Sequence, residues 1–367
     1  MYDETLKYRI GLTLIPGVGD VMGRKLVMLY GSAEAVFREP RRHLKKMPRI
    51  GELLSQAVSG GGVLNQAEKE IAFMERYRIT PLFFQDEGYP RRLKNCVDSP
   101  IMLFYKGNAD LNATRVIGMV GTRKATDYGK SVTHELINGL VNQQVLVVSG
   151  LAYGIDCCAH RAALDQGLKT VGVLGHGLDT VYPWLHRPLA EKMLIQGGLV
   201  TEFLSKTKPD RSNFPKRNRI IAGLCDAIIV VEAGRKGGAL ITADIANSYN
   251  RDVFAVPGRV SDPFSDGTNY LIRTNRAALI QKPDDVSYLM GWKTSTEAVT
   301  VSQRKIFIEM TPDEEQIVAL LQESGQTGID EISTRVEIPM SKVSAALLNL
   351  EFEGVVKCMP GKVYVLC

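Results

Sequence analysis

The chain has 367 residues, 45% hydrophobic and 23% charged, with a formal net charge of +5. That balance describes a globular chain and excludes a disordered or collagen-like one. No apolar run reaches the length of a membrane span, and the N-terminal "MYDETLKYRI" lacks the apolar core of a signal peptide, so no membrane partner is expected.

The six cysteines, Cys96, Cys157, Cys158, Cys225, Cys358 and Cys367, form no C-x-x-C pair and have no histidine at zinc-finger spacing. They read as small buried residues in a reducing compartment. A cytoplasmic protein without metal or other cofactor is the expectation.

In chain order, residues 1–62 read as short helices. "LTLIPGVGDVMGRKLVMLYGS" predicts a helix, a tight Pro-Gly-x-Gly turn at Pro16–Gly19 and a second helix, a helix-hairpin-helix or SAM-like module. The turn amides could face a phosphate, or the segment could be a plain helical hairpin. Residues 63–110 read as a connector, with a helix over "AEKEIAFMERYRI", an extended "TPLFFQD" and a short strand in "GYPRRLKNCVDSPIMLFYKGN".

Residues 111–290 carry the strongest pattern. Six apolar runs, "RVIGMVG", "QVLVVSG", "TVGVLG", "GGLVTE", "AIIVVEA" and "DVFAVPG", alternate with helix-like stretches. This predicts an α/β domain with a parallel sheet covered on both faces. Ligands of such sheets sit outside the carboxyl ends of the strands. Residues 291–310 read as a linker. Residues 311–367 predict three helices and a β-hairpin around Pro360-Gly361, a winged helix, with Thr311 as N-cap and Pro312 at the first helical position. Its third helical segment, Pro339–Gly354, carries one cation, Lys342, against Glu351 and Glu353, which favours a protein contact over a DNA groove.

The informative residues fall at strand ends. After the first run, Gly121, Thr122 and Arg123 offer a sharp turn, a hydroxyl and a planar cation, and the loop enters a helix whose N-terminus favours an anion. A Walker A loop is excluded, because Lys124 stands where its first glycine is required before Gly129-Lys130-Ser131. Ser149 and Gly150 end the second run; beyond them Asp156 and His160 read as a helix cap and a core histidine rather than a catalytic pair. Gly175-His176-Gly177 has Thr180 where a dinucleotide fingerprint needs its third glycine. Ser205–Arg219 holds six Lys/Arg against one Asp. Within it, Phe214, Lys216, Arg217, Asn218 and Arg219 interleave an aromatic with cations, as suits a single strand with phosphates on the cations and a base on the ring. Gly237 and Gly238 permit close backbone approach after the fifth run.

Taken in order, "GTRKATDYG", "SGLAYGIDCCAH", "GHGLDTVYP", "NFPKRNRIIAGL", "EAGRKGGALITA" and "VFAVPG" resemble the DNA-processing protein DprA, or Smf, family over roughly residues 80 to 280. The resemblance implies a Rossmann-like domain that binds single-stranded DNA, dimerises and loads the recombinase RecA during natural transformation, with no catalysis. By motif position it assigns the DNA pocket to Gly121, Thr122, Arg123, Ser149, Gly150, Phe214, Lys216, Arg217, Asn218, Arg219, Gly237 and Gly238. Three departures stand out: Thr122 where Ser is common, His186 where Asn is usual, and "RTNRAAL" in place of a Gly-Ala near the edge expected to dimerise. The competing expectation is a nucleotide-processing enzyme akin to lysine-decarboxylase-like phosphoribohydrolases. Their Pro-Gly-Gly-x-Gly-Thr-x-x-Glu loop is replaced here by "GRKGGALITAD", with Asp244 the nearest carboxylate and out of register.

Overall fold

A computed structural model describes residues 4–45, 51–292, 310–359 and 362–367, and in it each of the six apolar runs is a strand. They belong to a nine-stranded sheet made of β1 Thr80–Phe83, β2 Met102–Gly107, β3 Val116–Val120, β4 Leu146–Ser149, β5 Thr170–Val173, β6 Gly197–Thr201, β7 Ala227–Val230, β8 Asp252–Ala255 and β9 Ala278–Leu279. The spatial order is β1-β2-β6-β5-β4-β3-β7-β8-β9. From β6 to β9 along that order the strands pair in parallel, while β2 joins β6, and β1 joins β2, antiparallel. The expected connector thus contributes two strands to the sheet.

Every residue of β3 to β7 is buried, the consequence of helices on both faces. Each large apolar side chain placed there contributes about 1.5–3 kcal/mol. The chain steps outward from β3 to β6, then returns to lay β7 on the other side of β3. The resulting switch point opens a crevice at the carboxyl ends of β3 and β7.

The N-terminal helices Leu6–Leu14 and Asp20–Tyr30 flank the Pro-Gly turn, with Gly17 at φ +80°. Asp20, at the start of the second, accepts from the Ile101 amide at 2.9 Å and from Arg219 Nη2 at 3.0 Å. This fixes the helices against the α/β layer. A second tie comes from Glu70 of helix Gly62–Tyr77, which accepts from the Ser205 amide at 2.9 Å and from its hydroxyl at 2.6 Å.

The chain divides into two compact units, Met1–Glu297 and Ala298–Cys367. The second contains helices Pro312–Ser324, Ile329–Arg335 and Met340–Phe352 and the strands β10 Thr327–Gly328, β11 Val356–Met359 and β12 Val363–Leu366, ordered β10-β12-β11. Thr311 caps its first helix in a capping box: its hydroxyl accepts from the Glu314 amide, and the Glu314 carboxylate accepts from the Thr311 amide at 2.8 Å. The expected Pro360-Gly361 turn and nearly all of the expected linker lie outside the described residues.

Candidate nucleic-acid interface

The loop leaving β3 is tied to the end of β7, since the Thr122 amide donates to Glu232 O at 2.7 Å. The loop then enters helix Asp127–Gly139, capped by the Thr126 hydroxyl, which accepts from the Gly129 amide. The anion expected at this helix start is supplied by the protein. The Glu232 carboxylate, almost fully buried, accepts from the Thr126 amide at 3.0 Å and from its hydroxyl. A Cβ on Gly129 would collide with that carboxylate, so glycine is required there. A carboxylate of the protein thus already stands beside this helix start, at the amide and hydroxyl of its N-cap residue.

At the end of β4, Ser149 is fully buried and donates its hydroxyl to Met119 O at 2.6 Å. Arg217 follows the same inward logic. It is only 4% exposed and donates from Nη1 to Gly150 O at 2.5 Å and to Val173 O, and from Nε to Asn218 Oδ1 at 3.2 Å. Its guanidinium presses on Gly150, where a Cβ would overlap it. Burial lowers Arg217 to about 10, against the pull of Asp156 and with Arg123 adding to the fall. Asn218 is buried and donates to Gly238 O at 3.3 Å, joining the two loops of the crevice.

Arg219 meets the molecule's own acids. It pairs with Asp20 at 3.0 Å and with Glu202, and donates to Asp98 O. Burial works against its charge, but Glu202, Asp20 and Asp98 outweigh it and raise its pKa. Burial pushes Glu202 up to about 7, Arg219 opposing and Asp20 reinforcing the rise. So the run of three cations does not line one surface. The helix Asn213–Leu224 turns Arg217 and Arg219 inward, because an α-helix rotates successive residues about its axis, and leaves Lys216 exposed.

What remains outward is compact. Phe214 is half-buried on the first turn of that helix, against Gly175, and the exposed Arg123 guanidinium lies 5.6 Å from its ring centroid. Phe214 and Pro215 both lie in the first turn of that helix. Thr122 is part-exposed, its hydroxyl accepting from the Lys124 amide at 3.2 Å. Gly121 is part-exposed and packs on Ile155. Beyond β7, Gly237 and Gly238 are exposed, and helix Gly238–Ser248 begins there with no side-chain cap and no acid in its first turn. The exposed Arg235 and Lys236 precede it. Unlike the helix after β3, which the Thr126 hydroxyl caps, this one has no side chain on its first amides, the arrangement that suits an anion.

His160 is a core residue, bonded through Nδ1 to the Thr170 hydroxyl at 2.7 Å and lowered by burial to about 3. Asp156 does not sit at the N-cap; it accepts from the Ala152 amide at 3.3 Å, and burial raises its pKa while Arg217 opposes. Two residues are not singled out by sequence pattern. Glu232 is hidden at the end of an apolar run, where a carboxylate in need of a partner is the signal that could have found it. Tyr182, 6.0 Å from Phe214 between ring centroids, lies in a loop that reads only as a helix interruption.

A model of the family "DNA recombination-mediator protein A" matches residues 80–291, and one for the DprA winged helix domain matches 308–362. Protein Smf of Synechocystis is 31% identical over 99% of this chain and 99% of its own. DNA processing protein DprA of Streptococcus pneumoniae is 37% identical over 67% of this chain and 92% of its own. The X-ray structure of DprA from S. pneumoniae aligns with TM-score 0.63 at 33% identity, covering 77% of this chain and 97% of that one. DNA processing protein A from Helicobacter pylori, described for its single-stranded DNA binding mode, aligns with TM-score 0.53 at 27% identity, covering 58% and 95%. With a family model over more than half its length, a doubly wound sheet and a winged-helix unit, this chain belongs to the DNA recombination-mediator protein A family, DprA/Smf.

Proposed function

We propose that the protein binds single-stranded DNA without catalysis, as a homodimer in the cytoplasm, and delivers the strand to a RecA recombinase during transformation. The observation that carries the reading is the exposed Arg123 guanidinium over the half-buried Phe214 ring, with the uncapped Gly237–Gly238 helix start following the adjacent parallel strand at the same sheet edge. Arg123, Lys216 and the glycine amides hold phosphates, and Phe214 receives a base. The inward members of the pocket set, Ser149, Gly150, Arg217, Asn218 and Arg219, act by holding these groups in place before the strand arrives. The H. pylori relative's single-strand binding supports the same reading.

For the dimer, support comes from β9, the outer strand of the sheet, whose two residues are exposed. In the departing "RTNRAAL" segment, Asn275 adopts φ +54°, the left-handed region that asparagine enters more readily than most residues, and so turns the chain into β9 without glycine. The hydrolase alternative loses its carboxylate: Asp244 is paired with Arg276 at 2.6 Å. Release of free base from nucleoside monophosphates would nonetheless favour it.

Fluorescence anisotropy with a labelled oligothymidylate tests the interface. Arg123→Ala and Lys216→Ala are each expected to weaken binding and to reduce the salt slope by roughly 0.7 for each phosphate no longer neutralised. Wild-type affinity in both variants would refute the assigned rim.

A further inference from the structure

The loop after β5 carries large side chains that the rim leaves unused. Trp184 is 65% exposed and Tyr182 50%, with Leu185 beside them. Tyrosine and tryptophan, apolar in body with a polar tip, are enriched where a surface meets a partner. The loop that presents them is firmly anchored. The Tyr182 amide donates to the buried His176 Nε2 at 3.3 Å. The buried His186 donates from Nδ1 to Leu151 O at 2.8 Å, and its amide donates to Pro183 O at 3.0 Å. His186 stands where the family resemblance gives Asn, and either side chain can donate to a carbonyl. Tyr153, itself part-exposed, meets the His186 ring edge-on at 4.9 Å. Two buried imidazoles thus tether the loop from beneath and leave Tyr182 and Trp184 outward.

The order of these rings is informative. Arg123 lies over Phe214, and Tyr182 follows Phe214 at 6.0 Å with planes 33° apart. Beyond Tyr182, Arg187 lies 4.9 Å from the Trp184 ring centroid while its Nε bonds Glu191 at 3.0 Å. The one acid within the loop, Asp179, is engaged by the Lys206 amide at 2.9 Å. Aromatic faces interleaved with cations match unpaired bases joined by phosphates. A duplex, whose base faces are stacked inside, cannot use them.

We propose that Tyr182 and Trp184 form an outer stacking station for single-stranded nucleic acid, continuing the path from Phe214 across the loop after β5. The strand leaves the phosphate-binding rim and lays its next bases on these rings. This rests on the reading of the rim as a single-strand site, and the test separates the two. Trp184 and Trp292 are the two tryptophans of the chain, so Trp292→Phe leaves Trp184 as the sole indole reporter. In that background, oligothymidylates of about 4 and about 12 nucleotides are titrated, lengths that bracket the span of a single-strand groove.

The longer strand is expected to quench Trp184 emission. Trp184→Ala and Tyr182→Ala should each weaken its binding roughly 5- to 100-fold, the range for loss of one base–aromatic stack. The salt slope should stay at the wild-type value, because every phosphate-binding cation is still present. Both side chains are exposed, so the urea midpoint should not move; a Trp184→Phe variant, which keeps a stacking face, should recover most of the affinity. Wild-type affinity in both alanine variants, with Arg123→Ala still impaired, would overturn the outer station and leave the rim standing. A lowered salt slope in Trp184→Ala would also overturn it, since the effect would then be electrostatic. No binding of either oligonucleotide by the wild-type chain would overturn the rim and the station together.

Discussion

Arg217→Ala separates a scaffold role from a DNA contact. In the structure its guanidinium satisfies Gly150 O, Val173 O and Asn218 Oδ1, and its charge opposes the burial penalty on Asp156. Truncation leaves three buried acceptors short of a donor at about 1–3 kcal/mol each before relaxation. It also strips a buried carboxylate of a compensating charge, a change that costs about 3–5 kcal/mol. Because these costs overlap and water can enter the space, the expected destabilisation is about 3–5 kcal/mol, a large share of the stability of an ordinary domain. Trp184 and Trp292 both lie in the Met1–Glu297 unit, so urea unfolding followed by tryptophan emission reports on that unit alone. The midpoint should fall well below wild type. Arg123→Ala, at an exposed position, should stay within about 0.5 kcal/mol. The deficit of Arg217→Ala should narrow as the pH falls. Asp156 already binds its proton more readily in the folded state, and removing Arg217 strengthens that preference, so acidification relieves the uncompensated charge. An unchanged midpoint together with abolished DNA binding would refute this reasoning and place the Arg217 side chain on the DNA.

Three further expectations follow from other side chains. Glu232→Gln removes the charge that holds the Thr126 amide and hydroxyl, and should destabilise the same unit by about 1–3 kcal/mol in urea unfolding while leaving single-strand affinity within about twofold. Glu202 keeps its proton up to about 7 in the folded protein, above the carboxylate range of the unfolded chain. The contribution of Glu202 is therefore lost as pH rises from about 5 through about 7, while the neutral buried His160 gives a slope of opposite sign up to its unfolded range, so the expected signature is a difference between wild type and Glu202→Gln of up to one proton in a pH series of urea midpoints. Thr311→Ala breaks the capping box and should cost about 1 kcal/mol, read as roughly fivefold faster amide hydrogen exchange over Asp313–Glu315.

Much of the fold was legible because local chemistry is enough to specify it. Runs such as "AIIVVEA" leave no polar face for solvent, so the sequence alone required strands buried on both sides, and Thr311-Pro312 marked a helix start without tertiary help. The strand-end loops were legible for the same reason: glycine, small hydroxyl and cation at a strand terminus predict a ligand edge in any doubly wound sheet.

The direction in which each cation points was decided only by tertiary structure. Lys216, Arg217 and Arg219 have the same sign and neighbouring positions, and nothing local distinguishes them. Their fates depend on partners far along the chain: Gly150 and Val173 for Arg217, Asp20 and Glu202 for Arg219, solvent for Lys216. Likewise the helix after β3 found its anion in Glu232, 106 residues beyond Thr126, while the helix after β7 was left open. A sequence records which charges exist. The energy of a charge is set by its burial and by the groups that folding brings within a few ångströms of it, so the division between scaffold and surface could be read only from the assembled molecule.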